Sequence, residues 1–424
     1  MFSKLGLSPA VTAPLARLGY DTPTPVQAQA IPLVLSGVDL LARAQTGTGK
    51  TAAFGLPMIE RLIARPPAGR PKARALVLVP TRELAAQVQH ALASYAPSRV
   101  RVVAIFGGVS MGGQIQALQR GADIIVATPG RLIDHLQRRT VDLSAIEVLT
   151  LDEADRMLDM GFLPPLRRIV SVLPSKRQTL LFSATLSDDV VALSREFTRQ
   201  AARVDVSSGQ VVATTVKHQV HHVADGQKRH VLTEILRQHG EPQALVFCRT
   251  KRGANRVGED LGDRGVRAGV IHGNKSQSAR RRALDDFKTG RLRVLVATDI
   301  AARGLDIVQL PLVVNFDLPL VAEDYVHRVG RTGRAGHAGH AVSLVSGEDA
   351  SLLREIQRLV TSPLEHVKMP GAKVTDARPA AEPRPHHGRP HGARPHTPHA
   401  PRGTWRPARR GRRSFGGPRR PSAA

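Results

Sequence analysis

The strongest constraint on the fold is a repeated alternation of short apolar runs with helical patterns. In the first half the runs are "ALVLVP", "RVVAIFGG", "ADIIVATPG", "VLTLDEAD" and "TLLFSAT"; in the second they are "ALVFCRT", "AGVIHG", "RVLVATD", "VVNFD" and "AVSLV". Strands that are apolar at nearly every position suit a sheet buried on both faces, so the pattern predicts parallel sheets covered by helices. Two such series predict two tandem α/β domains. Small polar residues and Gly interrupt the pattern in "VDVSSGQVVATTVK", which places the first domain at 1–207, a linker at 208–217 and the second domain at 218–370.

Composition limits what these domains do. At 424 residues, 42% of them hydrophobic, the chain is long enough for two or three cores. The 61 Lys and Arg against 35 Asp and Glu favour a polyanionic partner, with nucleic acid ahead of membrane. The basic balance is also compatible with a merely solvated face. A single cysteine, Cys248, excludes an internal disulfide framework and zinc sites built on paired thiolates, and it sits in an expected strand as a small apolar residue. No apolar run approaches the roughly 18 residues that span a bilayer, so the expectation is a cytoplasmic protein without membrane insertion. From about Gly371 the composition shifts to Pro, Arg, His and Gly, with twelve Arg against one acid, Glu382, between Arg378 and Ala424. Residues 371–424 are therefore expected to be a disordered basic arm that raises RNA affinity without sequence preference.

The chemistry-bearing residues fall where strands end. "AQTGTGKT", Ala44 to Thr51, resembles a phosphate-binding P-loop: Ala44, Gln45, Thr46, Gly47, Thr48 and Gly49 form the cradle, Lys50 faces phosphate, and Thr51 offers a hydroxyl to Mg²⁺. The general pattern opens on Gly where this chain has Ala44, and the same letters also suit a glycine-rich turn before a helix. About a hundred residues later the run "VLTL" delivers Asp152 and Glu153 to the carboxyl end of a strand, where open α/β sheets hold their ligands. Asp152 is expected to complete the Mg²⁺ site, partly through water, and Glu153 to orient and deprotonate an attacking water. The alternative is that these acids stabilise the positive end of the following helix, a reading that competes for Asp155 but is disfavoured for Asp152 and Glu153, which follow a P-loop by about a hundred residues.

With the letters Asp152, Glu153, Ala154 and Asp155, the chain resembles the DEAD-box ATP-dependent RNA helicases, over residues 2 to about 345 and with the family's motifs in order. The stretch "HGNKSQSARRRALDDFKTG" is most similar to the bacterial RhlE-like branch. The resemblance implies two tandem RecA-like domains with parallel sheets, ATP and Mg²⁺ as cofactors, and RNA as partner. It implies that Gln27 of "GYDTPTPVQ" bonds the adenine edge and Tyr20 packs on its face, with Phe2 bracing the region as core. Pro80, Thr81 and Arg82, then Gly107 with Gly108, then Thr128, Pro129 and Arg131 resemble the first domain's RNA-binding motifs. Gln277 and Arg280 match the Q-x-x-R element that contacts RNA or neighbouring motifs. Thr298 is expected near the RNA backbone and Asp306 at the nucleotide. Arg331 and Arg334 match the arginine fingers, while Ser183, Thr185, Asp155 and His327 are expected to couple the nucleotide site to domain closure.

The expected function is an ATP-dependent RNA helicase that hydrolyses ATP to ADP and phosphate in an RNA-stimulated cycle and separates short duplexes or remodels RNA–protein complexes. An ATP-gated RNA clamp or annealing chaperone uses the same residues, and a DNA-directed motor is disfavoured by the full motif set. The core is expected to be monomeric, with ribosome-assembly or RNA-decay proteins as partners. Adjacent His221 and His222 are expected as a surface or packing feature rather than metal ligands.

Overall fold

In the computed structural model, residues 1–44, 47–65, 72–206, 216–302, 307, 309–333, 338–360 and 362–368 are described. Contacts divide the chain into Met1–Ala377 and Arg378–Ala424. The second unit, the expected arm, lies wholly outside the described residues. So do Gln45, Thr46, Asp306, Arg334 and all of the expected linker except Val216 and Lys217.

The apolar runs form strands in two sheets. The first contains β1 (Leu40–Arg43), β2 (Ala75–Leu78), β3 (Val102–Ile105), β4 (Ile124–Ala127), β5 (Val148–Asp152), β6 (Gln178–Ser183) and β7 (Ala202–Asp205). The second contains β8 (Val216–His222), β9 (Ala244–Phe247), β10 (Ala268–Ile271), β11 (Val294–Ala297), β12 (Leu312–Asn315), β13 (Gly339–Val345) and β14 (Leu364–His366). Every pairing is parallel. The orders are β3-β4-β2-β5-β6-β1-β7 and β10-β11-β9-β12-β13-β8-β14. Strands β2, β4, β5 and β6 are buried at every position, as strands with helices on both faces must be.

Local signals place the helices that carry the site. Thr24 and Gln27 form a capping box at the start of Pro25–Ser36, and Pro25 takes the first helical position, where its missing N–H costs nothing. Thr81 caps Arg82–Tyr95 and Thr250 caps Lys251–Asp263 through side-chain oxygens that accept from backbone N–H groups. The helix Lys50–Ala64 is apolar around most of its circumference because it lies between the first sheet and other helices. Its Phe54 meets Phe182 of β6 with ring centroids 5.4 Å apart, which fixes the phosphate loop against the strand that leads to Ser183. Removing either ring would cost about 3–5 kcal/mol.

Candidate active site

The phosphate loop is shaped by two glycines with left-handed backbones, Gly47 at φ 86° and Gly49 at φ 89°. A Cβ on Gly49 would lie 2.2 Å from Gln27 Nε2, so the position excludes any side chain on space as well as on backbone angle. Gln27 is wholly enclosed here: Nε2 donates to Gly49 O at 3.1 Å and Oε1 accepts from Thr24 N at 2.9 Å. One N–H and one lone pair of the amide are left for a base edge. Tyr20 presents its ring beside the loop, and its hydroxyl is 2.8 Å from that of Tyr95. Phe2 packs edge-on against Tyr20 and is 4% exposed, a core residue as expected. Ala44 N donates to Ser183 O at 2.9 Å, joining the start of the loop to β6.

Lys50 opens the helix after the loop, and its Nζ lies 3.9 Å from Asp152 Oδ1. That is an ion pair but too long for a hydrogen bond, and among the described residues this buried ammonium has no hydrogen-bond partner. Burial pushes the Asp152 carboxyl up to about 6; Lys50 opposes the rise and Glu153 adds to it. Glu153 stands at φ 55°, a left-handed conformation that a non-glycine residue holds at a cost and that is found preferentially at functional sites. Its N–H donates to Asp152 Oδ1 at 3.0 Å, and its buried Oε2 has no hydrogen-bond partner among the described residues. A buried ammonium and a buried carboxylate oxygen, both unsatisfied, fit a bound phosphate and a polarised water. No three His, Cys, Asp or Glu side chains converge on one point among the described residues, so a cation held by Thr51 and Asp152 would keep water and phosphate ligands.

Asp155 does different work. Its Oδ2 accepts from Ala184 N and Thr185 N, each at 3.0 Å, and from the Thr185 hydroxyl at 3.2 Å, while Oδ1 accepts from Arg156 N at 2.9 Å. Burial works to raise this carboxyl, but Lys50, then His327, then its hydrogen bonds, including one from Ser183, hold it below the usual carboxylate range. His327 and Arg331 line a 30 Å³ cavity with Glu153, Asp155 and Asp159. The four expected coupling residues thus meet at one place.

The larger cleft, of about 1360 Å³, is lined from the first lobe by Tyr20, Lys50, Thr51, Asp152 and Glu153 and from the second by Arg331. Gln277 and Arg280 close part of it. Gln277 Nε2 and Arg280 Nη2 each lie 2.9 Å from Glu83 Oε1, in the neighbouring "PTRELA" stretch, Pro80 to Ala85. Glu83 belongs to that stretch, but its pairing with Gln277 and Arg280 joins segments far apart in sequence and is not legible from those letters. The remaining first-lobe residues expected at RNA sit on the same edge of the first sheet. Thr81 caps its helix, Thr128 precedes the helix Pro129–Gln137, Pro80 and Pro129 are buried, and Arg82 packs on the Gly107–Gly108 turn, where a Cβ at Gly108 would meet Arg82 Nη1 at 2.0 Å. Thr298 is buried beyond β11. Next to it Asp299 binds Arg328 through two oxygens at 2.6 and 2.7 Å, and the Arg328 guanidinium lies 4.9 Å from the Phe247 ring centroid.

Known proteins match this geometry. Residues 24–193 match the DEAD/DEAH box helicase family and residues 227–336 the helicase conserved C-terminal domain. A DEAD-box ATP-dependent RNA helicase of Geobacillus kaustophilus, CshA, is 43% identical over 87% of this chain and 78% of its own length. The chain belongs to the DEAD-box RNA helicase family. The helicase is also 43% identical to RNA helicase CrhR of Synechocystis over 89% of the chain and 76% of that protein. Among solved structures it is similar to Saccharomyces cerevisiae Dbp5 bound to RNA and ADP BeF3, with TM-score 0.79 and 31% identity, covering 87% of this chain and 95% of that one. The two seven-stranded sheets are therefore tandem RecA-like units, and the helicase is an ATP-dependent enzyme. Among the described residues no helix is long and apolar enough to cross a membrane.

Proposed function

We propose that the helicase hydrolyses ATP in the cleft in an RNA-stimulated cycle and uses closure of its two lobes to separate short RNA duplexes. The observation that carries this reading is Arg331, which reaches from the second lobe into the cleft lined by Lys50, Asp152 and Glu153 of the first. Tyr20 and the spare edge of the Gln27 amide take adenine. Gly47, Thr48 and Gly49, with Ala44, Gln45 and Thr46 leading in, cradle the phosphates, and Lys50 faces the β and γ groups. Thr51 and Asp152 would hold Mg²⁺, in part through water, and bound there it would supply neutralisation of charge on the phosphates.

Glu153 orients the attacking water and takes its proton as oxygen bonds to the γ-phosphorus and the bond to the β-bridging oxygen breaks. Arg331, with Arg334, stabilises the charge that develops, and Asp306 assists at the nucleotide. Asp155, Ser183, Thr185 and His327 report phosphate state to the second lobe. Pro80, Thr81, Arg82, Gly108, Thr128, Pro129, Arg131 and Thr298 grip the sugar-phosphate chain without reading sequence, with Gln277 and Arg280 adding to that face through Glu83. The segments 1–207, 208–217, 218–370 and 371–424 serve as ATP-binding lobe, linker, second lobe and RNA-binding arm.

The test is to measure unwinding of a short RNA duplex beside ATP hydrolysis, with Glu153→Gln as control. The expected result is coupled hydrolysis and strand separation in the parent, and ATP and RNA binding without turnover in Glu153→Gln. Hydrolysis without strand separation would replace this reading by an ATP-gated clamp or annealing chaperone. Near-normal turnover in Glu153→Gln would remove Glu153 from the chemistry.

A further inference from the structure

Among the buried polar groups of the first lobe that this mechanism leaves unused, Gln114, in the helix Met111–Gln119, joins several segments at once. Its Nε2 donates to Phe106 O at 2.9 Å, and its Oε1 lies 3.2 Å from Arg131 Nη1 and 3.1 Å from His135 Nε2. A guanidinium only donates, so the atom facing it must be the acceptor, and the orientation of the amide follows. The same acceptor requires His135 to carry a proton on Nε2. The other ring nitrogen, Nδ1, is 2.8 Å from the Thr140 hydroxyl, whose single proton this nitrogen and His135 O, at 3.2 Å, both face as acceptors. His135 is 0% exposed, and burial, followed by the nearby Arg131, lowers its pKa and keeps the ring neutral.

These bonds join segments that are separate in sequence. Phe106 precedes the Gly107–Gly108 turn and Val109 follows it, and Val109 O accepts from Arg131 Nη1 at 3.2 Å. The turn is pinned at one shoulder by Gln114 and at the other by Arg131, while Gly108 itself stays exposed. A leucine of similar volume would fill the same space, but it could not hold the two segments in one register. We propose that Gln114, seated by His135, is a positioning residue that sets the Gly107–Gly108 turn and Arg131 in register for the backbone of single-stranded RNA. This rests on the reading of Gly108 and Arg131 as RNA contacts.

The experiment titrates a single-stranded oligouridylate against the full chain and reads ATPase activity, with melting temperature recorded for each variant. Gln114→Leu is expected to raise the half-saturating RNA concentration about tenfold while basal ATPase holds and the melting temperature falls by only a few degrees. Gln114→Glu, which keeps the acceptor but loses the donor to Phe106, should fall between. His135→Leu should also raise the half-saturating concentration, and His135→Gln, which restores an N–H, should recover part of the loss. A half-saturating concentration for Gln114→Leu within about twofold of the parent overturns the proposal, as does a rise matched by an equal fall in basal turnover and a much lower melting temperature. Arg131→Ala separates the two readings. If it leaves RNA stimulation unchanged, the RNA assignment of that segment fails. If it weakens stimulation while Gln114→Leu does not, only the positioning role falls.

Discussion

The second sheet repeats the first strand for strand: adding seven to each label of one order gives the other. The duplication extends to charged residues. Lys50 opens the helix after β1, and Lys228 opens the helix Lys228–Gln238 that follows β8, the matching strand. Asp152 ends β5 and Asp317 lies just beyond β12, its counterpart. Lys50 Nζ is 3.9 Å from Asp152 Oδ1, and Lys228 Nζ is 3.8 Å from Asp317 Oδ1. The surroundings then diverge. In the first lobe two glycines bring backbone up to the lysine, whose ammonium has no hydrogen-bond partner among the described residues. In the second, Asp349 Oδ2 stands 3.6 Å from Lys228, and Arg249 binds the other oxygen of Asp349 at 3.1 Å. A protein carboxylate faces this lysine, so the scaffold and its lysine–aspartate pair do not by themselves make a nucleotide site.

The comparison can be broken by exchanging the fates of the two lysines. Lys50→Ala should lower ATP turnover by at least about a hundredfold while circular dichroism shows the fold retained. Lys228→Ala should do the reverse: it removes one of the two cations that face buried Asp349 and should cost about 1–3 kcal/mol in urea denaturation, with turnover of the folded fraction little changed. Adding Asp349→Ala should recover part of that loss, and a strictly additive double variant would show that the pair is not coupled.

Acid should separate the lobes next. Buried His218 of β8 accepts or donates through Nδ1 to the Tyr325 hydroxyl at 2.9 Å, and burial lowers its pKa from 6.5 to about 4. Because the folded value lies below the unfolded one, the unfolded chain takes up a proton first. Stability is intact above pH 6.5 and falls as pH drops towards 4, by on the order of 3 kcal/mol for this group. His221, His222, His272 and His340 shift the same way for the same first cause, burial, whereas in the first lobe only His135 does among the described residues. Hydrogen exchange at pH 5 should therefore show β8 and the helix Ala322–Val329 losing protection before β5; equal loss would contradict the asymmetry. The smallest effect is expected at Cys248, fully buried beside Arg249, its thiol pushed up by burial. Cys248→Ala should cost about 1 kcal/mol, and iodoacetamide should not label the native chain.

Ten strands were legible because each is a run of apolar residues long enough to stand out, from "ALVLVP" at β2 to "AVSLV" at β13. The strands that were not legible are physically different. Inner strand β1 ("LLAR") is buried but its apolar run is only three residues long; edge strands β7 ("ARVD") and β14 ("LEH") are short and bury few residues, and β8 ("VKHQVHH") carries Lys, Gln and three His on a strand that is nonetheless half buried. Within the site, residues that form motifs with a chemical reason for their spacing, such as Lys50 with Thr51 or Asp152 with Glu153, were readable from letters alone. Gln114, His135 and the pairing of Glu83 were not, because their partners lie on other elements and each letter already has an ordinary explanation as a helix residue. The Lys228, Asp317 and Asp349 cluster was hidden for the same reason, and only the matching strand order brings it out.

The amide of Gln27 closes over Gly49 at a distance no side chain could share. Any molecule that competes for that amide therefore tugs on the carbonyl that shapes the phosphate loop. Base and phosphate ends of a nucleotide would be felt through one lever, so a triphosphate carrying the wrong base would meet a slack cradle rather than merely a weaker handhold.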